Sequence, residues 1–165
     1  MVLKKLFARL IPGASGGGVD NGSATGRVYV GDQSYKLQYA YAYASRGDEE
    51  LWVYLTDAPL GDKQVTKRFG VHDAARAGQV HGVKLRLDPA DSDPKSLSAV
   101  LLMPPGSKNE SLTSISSSGS DPCFEQLSLP PAQIAGRIRY EQEAIFESPP
   151  YGFEVEFEFP DSPPS

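Results

Sequence analysis

One cysteine, Cys123, two histidines and one tryptophan are all that 165 residues hold of those types. A lone thiol cannot close an intrachain disulfide or build a zinc site from thiolates, so Cys123 reads as a small side chain at the start of a strand. No run approaches the ~20 apolar residues of a membrane-crossing helix. Basic charge is short as well: 16 Lys and Arg against 21 Asp and Glu leave a net charge of −5. Phosphate backbones require a basic stripe, so general nucleic-acid binding is excluded. Also missing are a Gly-Lys-Ser/Thr phosphate loop, a Gly-x-Ser-x-Gly nucleophile turn and an EF-type calcium loop. No metal or cofactor is implied.

Alternation is what the chain does have. Phe153-Glu154-Val155-Glu156-Phe157-Glu158-Phe159 places apolar and acidic residues in strict period two, the pattern of a strand buried on one face. Similar runs at Arg27–Val30, Tyr35–Ala44, Leu51–Thr56, Val80–Leu87, Ser96–Met103, Phe124–Leu129 and Gln133–Ile145 are separated by turn-forming residues. Gly31-Asp32-Gln33 joins the first two as a hairpin. Eight or nine short strands predict an all-β protein, and the expected architecture is an antiparallel two-sheet sandwich. Only residues 62–78 suit helix, as one or two short turns ending at Gly78 and capping an open end or edge of the sheets.

Four stretches organise the chain. Residues 1–11 form a short basic amphipathic segment, with Leu3, Leu6, Phe7, Leu10 and Ile11 on one helical face and Lys4, Lys5 and Arg9 elsewhere. Those three cations leave −8 on the rest of a chain of net −5. The segment offers at most weak peripheral contact with a membrane. Residues 12–26 are a Gly/Ser-rich linker, 27–160 a single β domain and 161–165 a proline-rich disordered tail. A cytoplasmic location is favoured over a periplasmic or secreted one.

Charged positions on the strands have a bland explanation. Glu154, Glu156 and Glu158 project to one side at intervals of roughly 6.5 Å and repel one another unless a basic strand lies near. Lys84 and Arg86, or Arg137 and Arg139, supply such a strand. Paired carboxylates at this spacing also suit a hydrolase using Glu154 and Glu156, although acid and base roles demand different environments for the two groups. His72-Asp73 is the one adjacent histidine–acid pair. Both His72 and His81 read as helix-cap or strand-start residues.

The most function-like feature is aromatic. Tyr35, Tyr39, Tyr41 and Tyr43 share one parity of a strand, and Trp52 and Tyr54 share a face of the next. Tyr39, Tyr41, Tyr43, Trp52 and Tyr54 would form a platform if both faces were outer surface, and a set of core rings otherwise.

The phrases GRVYVGDQSYKLQYAYAYA (Gly26–Ala44), LWVYLTDAPL (Leu51–Leu60), GQVHGVKLRLD (Gly78–Asp88) and Ala135-Gly136-Arg137-Ile138 resemble a scattered group of uncharacterised bacterial single-domain β-sandwich proteins. The resemblance covers most of Gly26–Phe159 and implies no activity, substrate or catalytic residue. The leading expectation is a non-catalytic binding or interaction module that contacts a protein partner through the aromatic strand face. A carbohydrate-binding module is the alternative, with the carboxylate hydrolase behind it.

Overall fold

A computed structural model describes residues 19–44, 50–87, 98–102, 113–116, 124–128, 133–144 and 149–160. The 1–11 segment, Cys123 and the 161–165 tail lie outside the described residues. Among the described residues nine strands form in chain order: β1 (Asp20–Val30), β2 (Gln33–Ala44), β3 (Leu51–Thr56), β4 (Gly82–Leu87), β5 (Ser98–Leu101), β6 (Thr113–Ser116), β7 (Phe124–Ser128), β8 (Ala135–Gln142) and β9 (Tyr151–Glu158). Two short helices, α1 (Asp62–Thr66) and α2 (Gly70–Arg76), separate β3 from β4. The chain enters β1 at Asp20, so the second half of the expected 12–26 linker is strand. Its small and polar residues carry no strand signal of their own, yet Gly22, Ser23 and Gly26 pair with Ala40, Tyr39 and Leu37 of β2.

The strands lie in one sheet in the order β6-β5-β4-β3-β2-β1-β9-β8-β7. Every neighbouring pair is antiparallel. Two separate sheets are therefore not what the hydrogen bonding forms. The ladder between β1 and β9 joins the amino-terminal and carboxyl-terminal halves into one surface. Alternating strands serve a sandwich and a coiled single sheet equally well, and only this long-range pairing distinguishes them.

The sheet coils on itself. Buried side chains of β1, β2, β3, β4, β5, β8 and β9, among them Val28, Leu37, Val53, Leu85, Leu101, Ile138 and Val155, form one continuous apolar cluster on one face. Among the described residues no second layer covers that face, and β1 lies against β4 although two strands separate them in the order. On β9, Phe153, Val155, Phe157 and the following Phe159 point into this concave core while Glu154, Glu156 and Glu158 are exposed. The period-two pattern thus sets the orientation of the last strand as expected.

Local chemistry explains the punctuation. Gly31 supplies the positive φ of 58° that the two-residue β1–β2 turn requires of its first residue. Gln64 Oε1 accepts the Gly61 N–H at 2.9 Å and closes the start of α1. Gly78, at φ 74°, ends α2: its N–H donates to the Ala75 carbonyl at 3.0 Å and the Gln79 N–H to the Ala74 carbonyl at 2.9 Å. The helices pack over the second face of the sheet through Val65, Val71, Ala74 and Ala75. They cover a face, where the sequence led us to expect an open end or edge.

Candidate functional site

Register assembles the aromatic residues in rows across the second face. Tyr43 pairs with Trp52 and Trp52 with Arg86; Tyr41 pairs with Tyr54 and Tyr54 with Lys84; Tyr39 pairs with Thr56. Tyr35 does not join them. The β1–β2 ladder shifts register between Ser23 and Gly26, and β2 changes phase there, so that Leu37 and Ala40 both enter the concave core. Tyr35 instead stacks on His81 at 3.6 Å and 6° between ring planes.

The rows are roofed by the helices. Tyr54, Trp52 and Tyr41 are 0%, 5% and 7% exposed, and Tyr39 and Tyr43 are half-buried at the margin of the same cluster. Tyr41 also accepts the Leu60 N–H at 2.9 Å, which ties the approach to α1 onto the sheet. Of the five platform residues, only Tyr39 and Tyr43 keep an edge toward solvent. The other three form the foundation of the helical cap.

A cation sits inside this foundation. Lys84 is 5% exposed, and its Nζ lies 4.3 Å from the Trp52 ring centroid and 5.4 Å from that of Tyr54. Next to it, Arg86 grips Glu50 in two hydrogen bonds, Nε to Oε2 at 2.8 Å and Nη2 to Oε1 at 2.6 Å, which hold the Glu50 carboxyl below its ordinary range. Burial pushes the Tyr54 phenol well up and the His72 imidazole down to about 4, where Lys84, Arg76 and Arg86 add to the depression and Asp73 opposes it. The Tyr54 hydroxyl and His72 Nε2 are buried with no hydrogen-bond partner among the described residues.

Phe69 stands on top of the cap, between α1 and α2. At 55% exposure it is the only large hydrophobic residue so exposed among the described residues. The Arg68 guanidinium lies 5.3 Å from its ring centroid, and His72 meets the ring edge-on at 6.0 Å. His72 therefore contacts Phe69, and the pairing with Asp73 suggested by adjacency gives way to a different one elsewhere. His81 is the histidine that binds an acid: its Nδ1 is 2.9 Å from Asp57 Oδ2, and its backbone N–H donates to Asp57 Oδ1 at 2.7 Å. Asp57 and His81 are 24 residues apart, beyond any local motif. These bonds splice the ends of β3 and β4.

The remaining polar face lies on the other half of the sheet. Thr25 pairs with Glu156, Glu156 with Arg137 and Arg137 with Gln126. In the next row Ser23, Glu158, Ala135 and Ser128 follow in the same way. Small side chains in the second row leave an open trough of about 410 Å³. The expected basic neighbour of the acidic strand is β8: Arg137 lies 3.5 Å from Glu156, 3.8 Å from Glu154 and 3.1 Å from Glu125. Glu154 and Glu156 are both open to water and share this guanidinium, so they occupy one environment. Acid–base catalysis needs two.

Among the described residues no group of three or more His, Cys, Asp or Glu side chains gathers to hold a metal, and no helix is long and apolar enough to cross a membrane. No family model, curated protein or solved structure matches the chain.

Proposed function

We propose that this domain is a non-catalytic interaction module whose contact surface for a protein partner is the helical cap, centred on Phe69 and Arg68. The aromatic strand face takes part from below, as the packed base that holds the cap rigid. The observation that carries the reading is a ring 55% exposed in the turn between two short helices, which pack over buried Tyr41, Trp52 and Tyr54. Protein interfaces concentrate their energy in aromatic and arginine side chains held in place before binding, because less conformational entropy is then lost. The likeness of Gly26–Phe159 to bacterial β domains accords with such a role and assigns no chemistry.

A photo-reactive phenylalanine analogue at position 69, in cells that express the chain, tests this. The reading expects one discrete protein adduct from position 69, none from the same analogue at Glu158, and loss of the adduct in Arg68→Ala. Equal labelling from both positions, or no adduct from position 69, contradicts it.

The trough over β7, β8, β9 and β1 favours a second reading, a module for polyhydroxylated ligands. Carboxylate, guanidinium, amide and hydroxyl groups line it, which is the mixture that bonds a sugar's hydroxyls. Phe157, the aromatic residue among its lining, is 3% exposed and packs in the concave core. Amide shifts confined to residues 23–25, 126–128, 135–137 and 156–158 on titration with monosaccharides would support it, and shifts elsewhere or none would not.

A further inference from the structure

The helical cap gathers positive charge on an acidic chain. Residues 62–76 carry Lys63, Lys67, Arg68 and Arg76 against Asp62 and Asp73, a net of +2 where the whole chain is −5, which leaves −7 on the rest. All four cations are exposed, and among the described residues none of them has an ion-pair partner. Cations on the sheet are matched instead: Arg27 and Arg139 flank Glu154 in register, Arg137 serves three carboxylates and Arg86 grips Glu50.

Backbone bonds fix where the cap's charges stand. The Gly70 N–H donates to the Lys67 carbonyl at 3.2 Å, closing a turn with Arg68 and Phe69 at its centre, and the Asp73 N–H donates to the Phe69 carbonyl at 2.9 Å. Phe69, at φ −117° and ψ 11°, is near the geometry of the third residue of a type I turn. Buried Val65 on one side and Val71 on the other hold the turn from both ends. The Arg68 guanidinium lies over the ring, Lys67 adjoins it in the turn, and Lys63 lies one turn earlier in α1. His72, which meets the same ring, lies one turn before Arg76 in α2. An apolar centre within a basic rim results.

We infer that the partner segment accepted by this cap is acidic: a short stretch of protein with Asp or Glu around one large apolar side chain that packs on Phe69. The inference rests on the reading of the cap as an interface and adds the chemistry of its occupant. Ionic attraction reaches only about 8–10 Å at physiological salt, so a short segment answers to the cap alone. A nucleic acid or a charged bilayer extends past the cap and meets the acidic remainder of the chain. One exposed ring is also too little apolar area to seat on a membrane.

The test uses the full chain, immobilised for selection from a displayed library of random dodecapeptides. Enrichment of Asp and Glu around an apolar residue is expected, and a synthetic copy of the leading peptide should move amide signals within residues 62–76. Phe69→Ala should weaken its binding about tenfold, and so should Lys67→Gln combined with Arg68→Gln. Raising NaCl from about 0.05 M to about 0.5 M should weaken it by a similar factor. Arg27→Gln combined with Arg139→Gln removes the same charge from the sheet and should leave binding unchanged. Neutral apolar peptides that bind residues 62–76 without salt dependence overturn the inference while the cap remains an interface. Absence of the photo-adduct from position 69 instead removes the reading beneath it. Amide shifts elsewhere, or no enrichment at all, overturn the inference, and equal loss in the two double variants does so by making net charge the cause. It is overturned as well if vesicles of phosphatidylcholine and phosphatidylserine in equal parts bind through Phe69 and no peptide does.

Discussion

Lys84 Nζ lies 4.3 Å above the ring of Trp52, the sole tryptophan of the chain, in a site that is 5% exposed. A desolvated ammonium facing two aromatic rings is favourable, and the side chain also fills volume under the helical cap. Lys84→Ala should lower stability by roughly 1–3 kcal/mol through the cavity and the lost cation–π contact. Denaturant melts followed by Trp52 fluorescence measure this. The native emission should shift as well, since the ammonium 4.3 Å from the indole is gone.

Two groups titrate in the same acidic window with opposite signs. His72 is held neutral in the folded state, its imidazole depressed from 6.5 to about 4, so the unfolded chain binds the proton first. Stability from this source is complete above pH 6.5 and is lost as pH falls toward 4. Asp20 is raised by burial from 3.8 to about 6, so the folded state binds the proton first, and stability from this source is lost as pH rises through 6. Asp20→Asn should therefore raise the melting temperature at pH 7 and leave it nearly unchanged at pH 3.5. His72→Asn should flatten the fall between pH 6.5 and 4. Melting curves across that range separate the two.

Gly82 approaches its neighbour too closely for any side chain. A Cβ there would meet the Leu55 carbonyl oxygen at 1.9 Å, backbone that cannot retreat without breaking the β3–β4 ladder. Gly82→Ala should cost about 3 kcal/mol or more, in the range reserved for core disruption. Chemical denaturation, or the yield of folded protein, reads the effect.

Arg137 serves three carboxylates on an exposed face, with its own side chain 46% exposed. Exposed pairs contribute little, so Arg137→Ala should cost less than about 1 kcal/mol. Arg137→Glu adds a fourth like charge and should cost about 1 kcal/mol in low salt, falling toward zero in 1 M salt. A cost independent of salt would mean that the arginine stem, rather than its charge, matters there.

Much of this fold is legible along the chain. The alternation of Phe153–Phe159 sets the buried and wet faces of β9, Gly78 marks the end of α2, and the runs at Leu51–Thr56 and Val80–Leu87 become β3 and β4. These signals are local, carried by side-chain period and backbone preference. The partnership of β1 with β9 is not local, because any strand with one apolar face could have taken that place, and it decides between one coiled sheet and two. The phase change of β2 is hidden for a related reason: Tyr35 and Tyr39 share sequence parity, and only the irregular pairing near Ser23 places them on opposite faces. The same distance obscures Asp57 with His81. In the candidate site the aromatic residues were evident from the sequence, whereas their roof was not, since five- and seven-residue helices carry too short a period to show which face they cover.

Iodide quenching of Trp52 bears most directly on whether the helices cover the aromatic strand face. With Trp52 beneath the cap and beside Lys84, the native protein should emit blue-shifted from free indole and resist iodide, with full quenching regained only on unfolding. Quenching of the native state as efficient as that of the denatured chain would place the aromatic face in open solvent and contradict the account.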